Sequence, residues 1–107
     1  MKYQKKAKVS SYAEPVARAC LMDLAAYCVE NPPATNAQNL TIDPTYGKNC
    51  ASPVKTPGGE VTISGANPTC DSSGSLTGGS VTATLSGVSD YTAVCTVQEG
   101  GFKCTVQ

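Results

Sequence analysis

Six cysteines offer the most chemistry in this sequence: Cys20, Cys28, Cys50, Cys70, Cys95 and Cys104. Thiolates can bind zinc, act as nucleophiles or pair as disulfides. Zinc sites are usually built from C-x2-C pairs or mixed Cys/His sets, and the chain has neither that spacing nor any histidine. A cysteine nucleophile needs an activating base, and histidine is missing from that role too. An even number of cysteines in a chain of 107 residues reads as three disulfides. Disulfides imply an oxidising compartment, so the protein is expected to act outside the cytoplasm. Neither catalysis nor a cofactor is expected. The acids are scattered, no phosphate-binding loop occurs, and Gly78-Gly79 and Gly100-Gly101 fall where turns are needed.

Other residue groups carry weaker signals. Asp71, in Cys70-Asp71-Ser72-Ser73-Gly74, is one acid among hydroxyls, too few for a calcium site, and reads as an ordinary loop. Asn39-Leu40-Thr41 fits the N-glycosylation pattern, which is short and common. Formal net charge is zero, yet Lys2, Lys5, Lys6 and Lys8 crowd the start of the chain with no acid among them. Such a basic head is local and does not describe a nucleic-acid surface spread over a domain. DNA is a weakly supported partner, and proximity to a membrane or packing between subunits is the favoured reading. Tyr3, Tyr12 and Tyr27 suggest an aromatic relay, but aromatics make up only 6% of the chain and packing is the better default.

The elements that position these residues follow from periodicity. From about Lys5 to Val29 the apolar positions Val9, Tyr12, Ala13, Val16, Cys20, Leu24, Tyr27 and Cys28 recur at helical spacing with one dominant face. Ala13, Ala17, Ala19, Ala25 and Ala26 add helix propensity. Pro15 lacks an N–H and crowds the carbonyl of Ser11, so a kink is expected between Ser11 and Pro15. Pro32 and Pro33 stop the helix by Asn31. Residues 31–58 show no sustained period and read as an extended loop with a short strand around Leu40 to Ile42. From Gly59 the period changes to two, with Val61/Ile63, Val81/Ala83/Leu85, Cys95/Val97 and Cys104/Val106 as the apolar sets. Polar Thr and Ser alternate with them, which favours an antiparallel sheet with one wet face. The dry face needs a cover, and the helix has the matching stripe.

The expected fold is therefore α+β in a single domain, 1–107. A long N-terminal helix (1–30) and a connecting loop (31–58) precede the sheet region (59–107), a three- or four-stranded antiparallel meander stapled by disulfides. Cys20 and Cys28 share a helix face but sit about 12 Å apart along the axis. A bridge needs Cα atoms within about 7 Å, so the two cannot pair with each other. The preferred pairs are Cys28–Cys50 and Cys95–Cys104, which leaves Cys20–Cys70.

The stretch Tyr3-Gln4-Lys5-Lys6-Ala7-Lys8-Val9-Ser10 resembles the segment that follows the hydrophobic stretch of type IVa pilins. The order of helix, variable loop, antiparallel sheet and cysteines near the C-terminus is also similar to that family. The resemblance implies a structural subunit of a bacterial type IV pilus, a surface filament for adhesion, twitching motility or DNA uptake. It also implies an apolar segment ahead of Met1 that anchors the subunit in the inner membrane, facing the periplasm, and then packs the filament. Tyr3, Lys5, Lys6, Lys8, Val9 and Tyr12 would form the filament-facing or membrane-proximal helix face. The partners would be copies of the chain, the pilus assembly machinery and the inner membrane. No apolar run here is long enough for a signal peptide or a membrane helix, so a truncated natural N-terminus is expected. Without that segment the chain is expected to be a soluble monomer whose first turns, Met1 to about Ser11, form an unsupported helical stub. Two alternatives remain: a pseudopilin of a secretion or competence machine, and a secreted disulfide-rich binding module.

Overall fold

A computed structural model describes residues 2–98 and 101–107. Helix α1, Lys2–Lys8, runs into a π-helical turn, Val9–Ala13, and then into α2, Glu14–Glu30. Where a kink is expected between Ser11 and Pro15, the structure has this π-helical turn, which begins earlier, at Val9. There the Glu14 N–H reaches back five residues to the Val9 carbonyl. The wider turn gives room where the proline ring would otherwise press on the Ser11 carbonyl. At the far end the Asn31 backbone N–H donates to the Tyr27 carbonyl at 2.8 Å, and Pro32 and Pro33 continue away from the helix.

The strands are β1 (Gln38–Asn39), β2 (Val54–Thr56), β3 (Gly59–Ala66), β4 (Thr69–Cys70), β5 (Leu76–Thr77), β6 (Ser80–Leu85), β7 (Ala93–Gln98) and β8 (Gly101–Val106). They form two antiparallel sheets. The larger has the order β2-β3-β6-β7-β8 and the smaller β1-β4-β5. The α+β class and the three disulfides stand as expected. The three- or four-stranded meander does not: among the described residues there are eight strands in two sheets. The physical reason is length. Strands of two residues are too short to show a period, so β1, β4 and β5 leave no alternation to read. The strand expected at Leu40 to Ile42 lies instead at Gln38–Asn39. Leu40 follows it, with its backbone N–H bound to the Pro68 carbonyl at 2.9 Å. Strand β2 falls within the presumed loop 31–58. It turns through Pro57 and Gly58 into β3, with Thr56 opposite Gly59.

The core lies between the helix and the larger sheet. Ala17, Cys20, Leu21, Leu24 and Cys28 of α2 are buried. So are Val81, Ala83 and Leu85 of β6, and Ala93 and Cys95 of β7. Leu21 and Ala17 complete the helix stripe, adding to the positions that the spacing singled out. Gly79 lies where the smaller sheet's hairpin passes into β6. Its φ is +86°, and a Cβ there would come within 2.5 Å of the Pro68 Cα, so only glycine fits without strain.

Candidate functional site

The bridges are Cys20–Cys50, Cys28–Cys70 and Cys95–Cys104. The last is as expected. The pairs Cys28–Cys50 and Cys20–Cys70 are corrected to Cys20–Cys50 and Cys28–Cys70. The reason is the direction of the loop, which returns antiparallel along the helix. Tyr46 packs edge-on against Tyr27, with ring centroids 4.9 Å apart. Next, the Asp23 carboxylate accepts hydrogen bonds from the Asn49 backbone N–H and side-chain amide, both at 2.9 Å. These bonds set the 3-10 turn Lys48–Cys50 beside the middle of α2. Cys50 therefore meets Cys20 and has already passed Cys28. Further on, Gly58 lies against the Tyr12 ring, and an added Cβ would run into it. Cys28, at the end of the helix, is left to meet Cys70 in β4. Cys20 and Cys28 do not pair with each other, as their separation requires.

The proposed helix face divides at Val9. Lys5, Lys6 and Lys8 are exposed, whereas Val9 is fully buried in the chain's own core and Tyr12 is partly buried. The side chain of Tyr3 lies outside the described residues. Support for the helix thus begins at Val9 and does not wait until after Ser11, which shortens the expected stub. The Lys5 ammonium also lies 3.5 Å from the Asp90 carboxylate, a half-exposed pair of modest energetic weight. Asp90 gave no sign of this contact in the sequence, because the pair joins the two ends of the chain.

Asp71 is used by its own loop. Its Oδ1 accepts from the Ser73 backbone N–H at 3.0 Å, the Ser73 hydroxyl at 2.5 Å and the Ser75 backbone N–H at 3.1 Å. The Ser73 hydroxyl, with the Ser75 and Ser73 amides, holds this carboxyl below the usual aspartate value. The arrangement closes the turn between β4 and β5, which is the structural reading of the motif. Asp43 is lowered in the same way, first by the Thr45 hydroxyl and then by that of Thr41. Asn39 of the glycosylation pattern is exposed and lies in β1.

A groove of about 610 Å³ opens between the end of α2, the β4–β5 hairpin and the start of β8. Ala25, Val29, Leu76, Val97 and Phe102 give it an apolar lining. Val29 is 68% exposed, and Met22, two turns earlier on the helix, is 55% exposed. The sequence shows these apolar residues but not their meeting, because Leu76 belongs to a strand too short to recognise. Among the described residues no cluster of three metal-ligating side chains occurs, and no helix is long and apolar enough to cross a membrane. No family model, curated protein or solved structure matches the chain.

Proposed function

We propose that this chain is the globular part of a type IV pilin-like subunit, a building block of a bacterial surface filament with no catalytic role. The observation that carries the reading is the form of the helix. Its first turns, Gln4 to Lys8, are basic and exposed, while from Val9 onward the same helix buries one face against a sheet. A helix that projects from its own domain suits continuation into another packed environment. The body is elongated, 50 × 24 × 16 Å, a form suited to stacking side by side. The loop that leaves the helix is fastened back to it by Cys20–Cys50 and Cys28–Cys70, as suits a subunit exposed to an oxidising exterior.

On this reading assembly is driven by an apolar segment ahead of Met1, packed against its copies and held in the inner membrane beforehand. The globular surfaces alone contribute little affinity. The expected result of deleting the gene is loss of a surface filament, with any attachment, twitching or DNA uptake that depends on it. A deletion strain that keeps its filaments, with the protein free in the medium, sinks the reading in favour of a secreted binding module.

A further inference from the structure

The larger sheet has two edges, and they are built differently. At one edge β2 is three residues long and bracketed by Pro53 and Pro57. Short strands and flanking prolines blunt an edge against pairing. At the other edge β8 runs six residues without proline, and among the described residues β7 is its one strand partner.

The hydrogen-bond parity of β8 is fixed by its neighbours. Thr92 and Gln107 exchange both backbone bonds, each at 2.8 Å. In an antiparallel ladder bonded pairs alternate, so Lys103 and Thr105 also direct their amides and carbonyls to β7. Val97, opposite Phe102, instead donates its N–H to the Gly79 carbonyl on the other side, which confirms the parity. Phe102, Cys104 and Val106 therefore turn their backbone groups outward to the open edge. Their side chains share the face of Cys95 and Ala93, the face covered by the helix. The Cys95–Cys104 bridge fastens the middle of this strand to β7, so the edge is a rigid template.

We propose that the open edge of β8 pairs antiparallel with β8 of a second copy of this chain, about a two-fold axis at Cys104. The pattern of the strand is self-complementary in that register. Phe102 would face Val106 of the second copy, Cys104 its counterpart, and Val106 Phe102. All three pairs are outward-bonding positions, so each exchanges two backbone hydrogen bonds. The inward side chains would extend the apolar row of the sheet, beside the groove that Phe102 helps to line. On the other face Lys103 would lie opposite Thr105. Sliding the strands by one paired step would set Lys103 against Lys103, a like-charge pair that disfavours the alternative. The opposite step would carry Phe102 beyond β8 of the second copy, so one charge and the length of β8 together select this register. The contact is small, so the chain is a monomer at micromolar concentration and pairs toward the millimolar range. The inference does not rest on the filament reading.

Sedimentation equilibrium of the 107-residue chain across that range, with amide hydrogen exchange at both ends of it, tests the proposal. The average mass should rise with concentration, and the amides of Phe102, Cys104 and Val106 should become protected only in the concentrated sample. Val106→Pro removes an outward N–H that β7 does not use, and should weaken self-association at least tenfold while the β7–β8 ladder persists. Thr105→Asp places a carboxylate opposite Lys103 in each of two symmetric pairs, and should tighten association about fivefold at low salt. This variant keeps the test decisive if the proline variant folds poorly. A monomer mass up to millimolar concentration overturns the proposal. So does a dimer in which the three amides still exchange freely, or a weakened dimer in Thr105→Asp.

Discussion

The two sheets of this protein are held by different means. The larger one is held by its core: Val61, Val81, Ala83, Leu85, Ala93 and Cys95 are buried, and the helix lies over them. The smaller one has strands of two residues each. Pairings this short cannot offset the entropy of ordering the segment that supplies them. What fixes it is Cys28–Cys70, the buried side chains of Leu40 and Pro68, and the turn organised by Asp71. A covalent tie does for the smaller sheet what buried area does for the larger.

The strongest way to break the comparison is to remove that tie. The Cys28–Cys70 bridge spans 42 residues of sequence, and closing a loop of that size is worth about 4 kcal/mol in the unfolded-chain model. The Cys28→Ala/Cys70→Ala double variant should lose about that much in denaturant unfolding. Its amides in 38–40 and 69–77 should exchange rapidly while β6 and β7 stay protected. Equal loss of protection in both sheets would show that they fold as one unit and that the contrast is false. The Cys95–Cys104 bridge closes a separation of only nine residues between strands already paired, so its removal should cost less.

Next in size is an attack on the core-held sheet. Leu85 is 2% exposed, and Leu85→Ala should cost about 3 kcal/mol by lost burial and a residual cavity. Here the two sheets should lose protection together, because the small one docks on a helix that the large one holds. A variant in which only β6 loosens would reverse the dependence argued above.

The smallest effect concerns pH. The Asp71 carboxyl is held below its ordinary value in the folded chain, so its ionised form is favoured by folding. That stabilisation is fully present above the ordinary aspartate range. It fades as pH falls through that range to the depressed folded value. The exchange rates of the Ser73 and Ser75 amides should rise across that window, and Asp71→Ala should abolish the dependence while leaving the larger sheet unchanged. A pH-independent turn would mean that the Ser73 and Ser75 bonds hold without the charge.

The same contrast explains what could be read from the sequence. The long strands β3, β6, β7 and β8 announce themselves by alternation, and the helix by the spacing from Val9 to Cys28. Pro15 marked the site of the π-turn. The smaller sheet was silent because Gln38–Asn39 and Thr69–Cys70 are too short to carry a period. The correct partners of Cys20 and Cys28 depended on which way the loop runs. That direction is set by Asp23 with Asn49 and by Tyr27 with Tyr46, pairs 26 and 19 positions apart whose meeting no local pattern encodes. The groove and the Lys5–Asp90 pair are likewise products of folding rather than of spacing.

The two bridges from the helix interleave along the chain, because Cys28 lies inside the span of Cys20–Cys50 and Cys50 inside that of Cys28–Cys70. Every peptide bond between Cys20 and Cys70 is therefore bypassed by at least one disulfide, and those between Cys28 and Cys50 by two. The exposed Asn- and Pro-rich stretch after the helix is where a protease would find its easiest purchase. A cut there separates nothing: the two pieces remain one molecule, held at two points, until a reductant arrives.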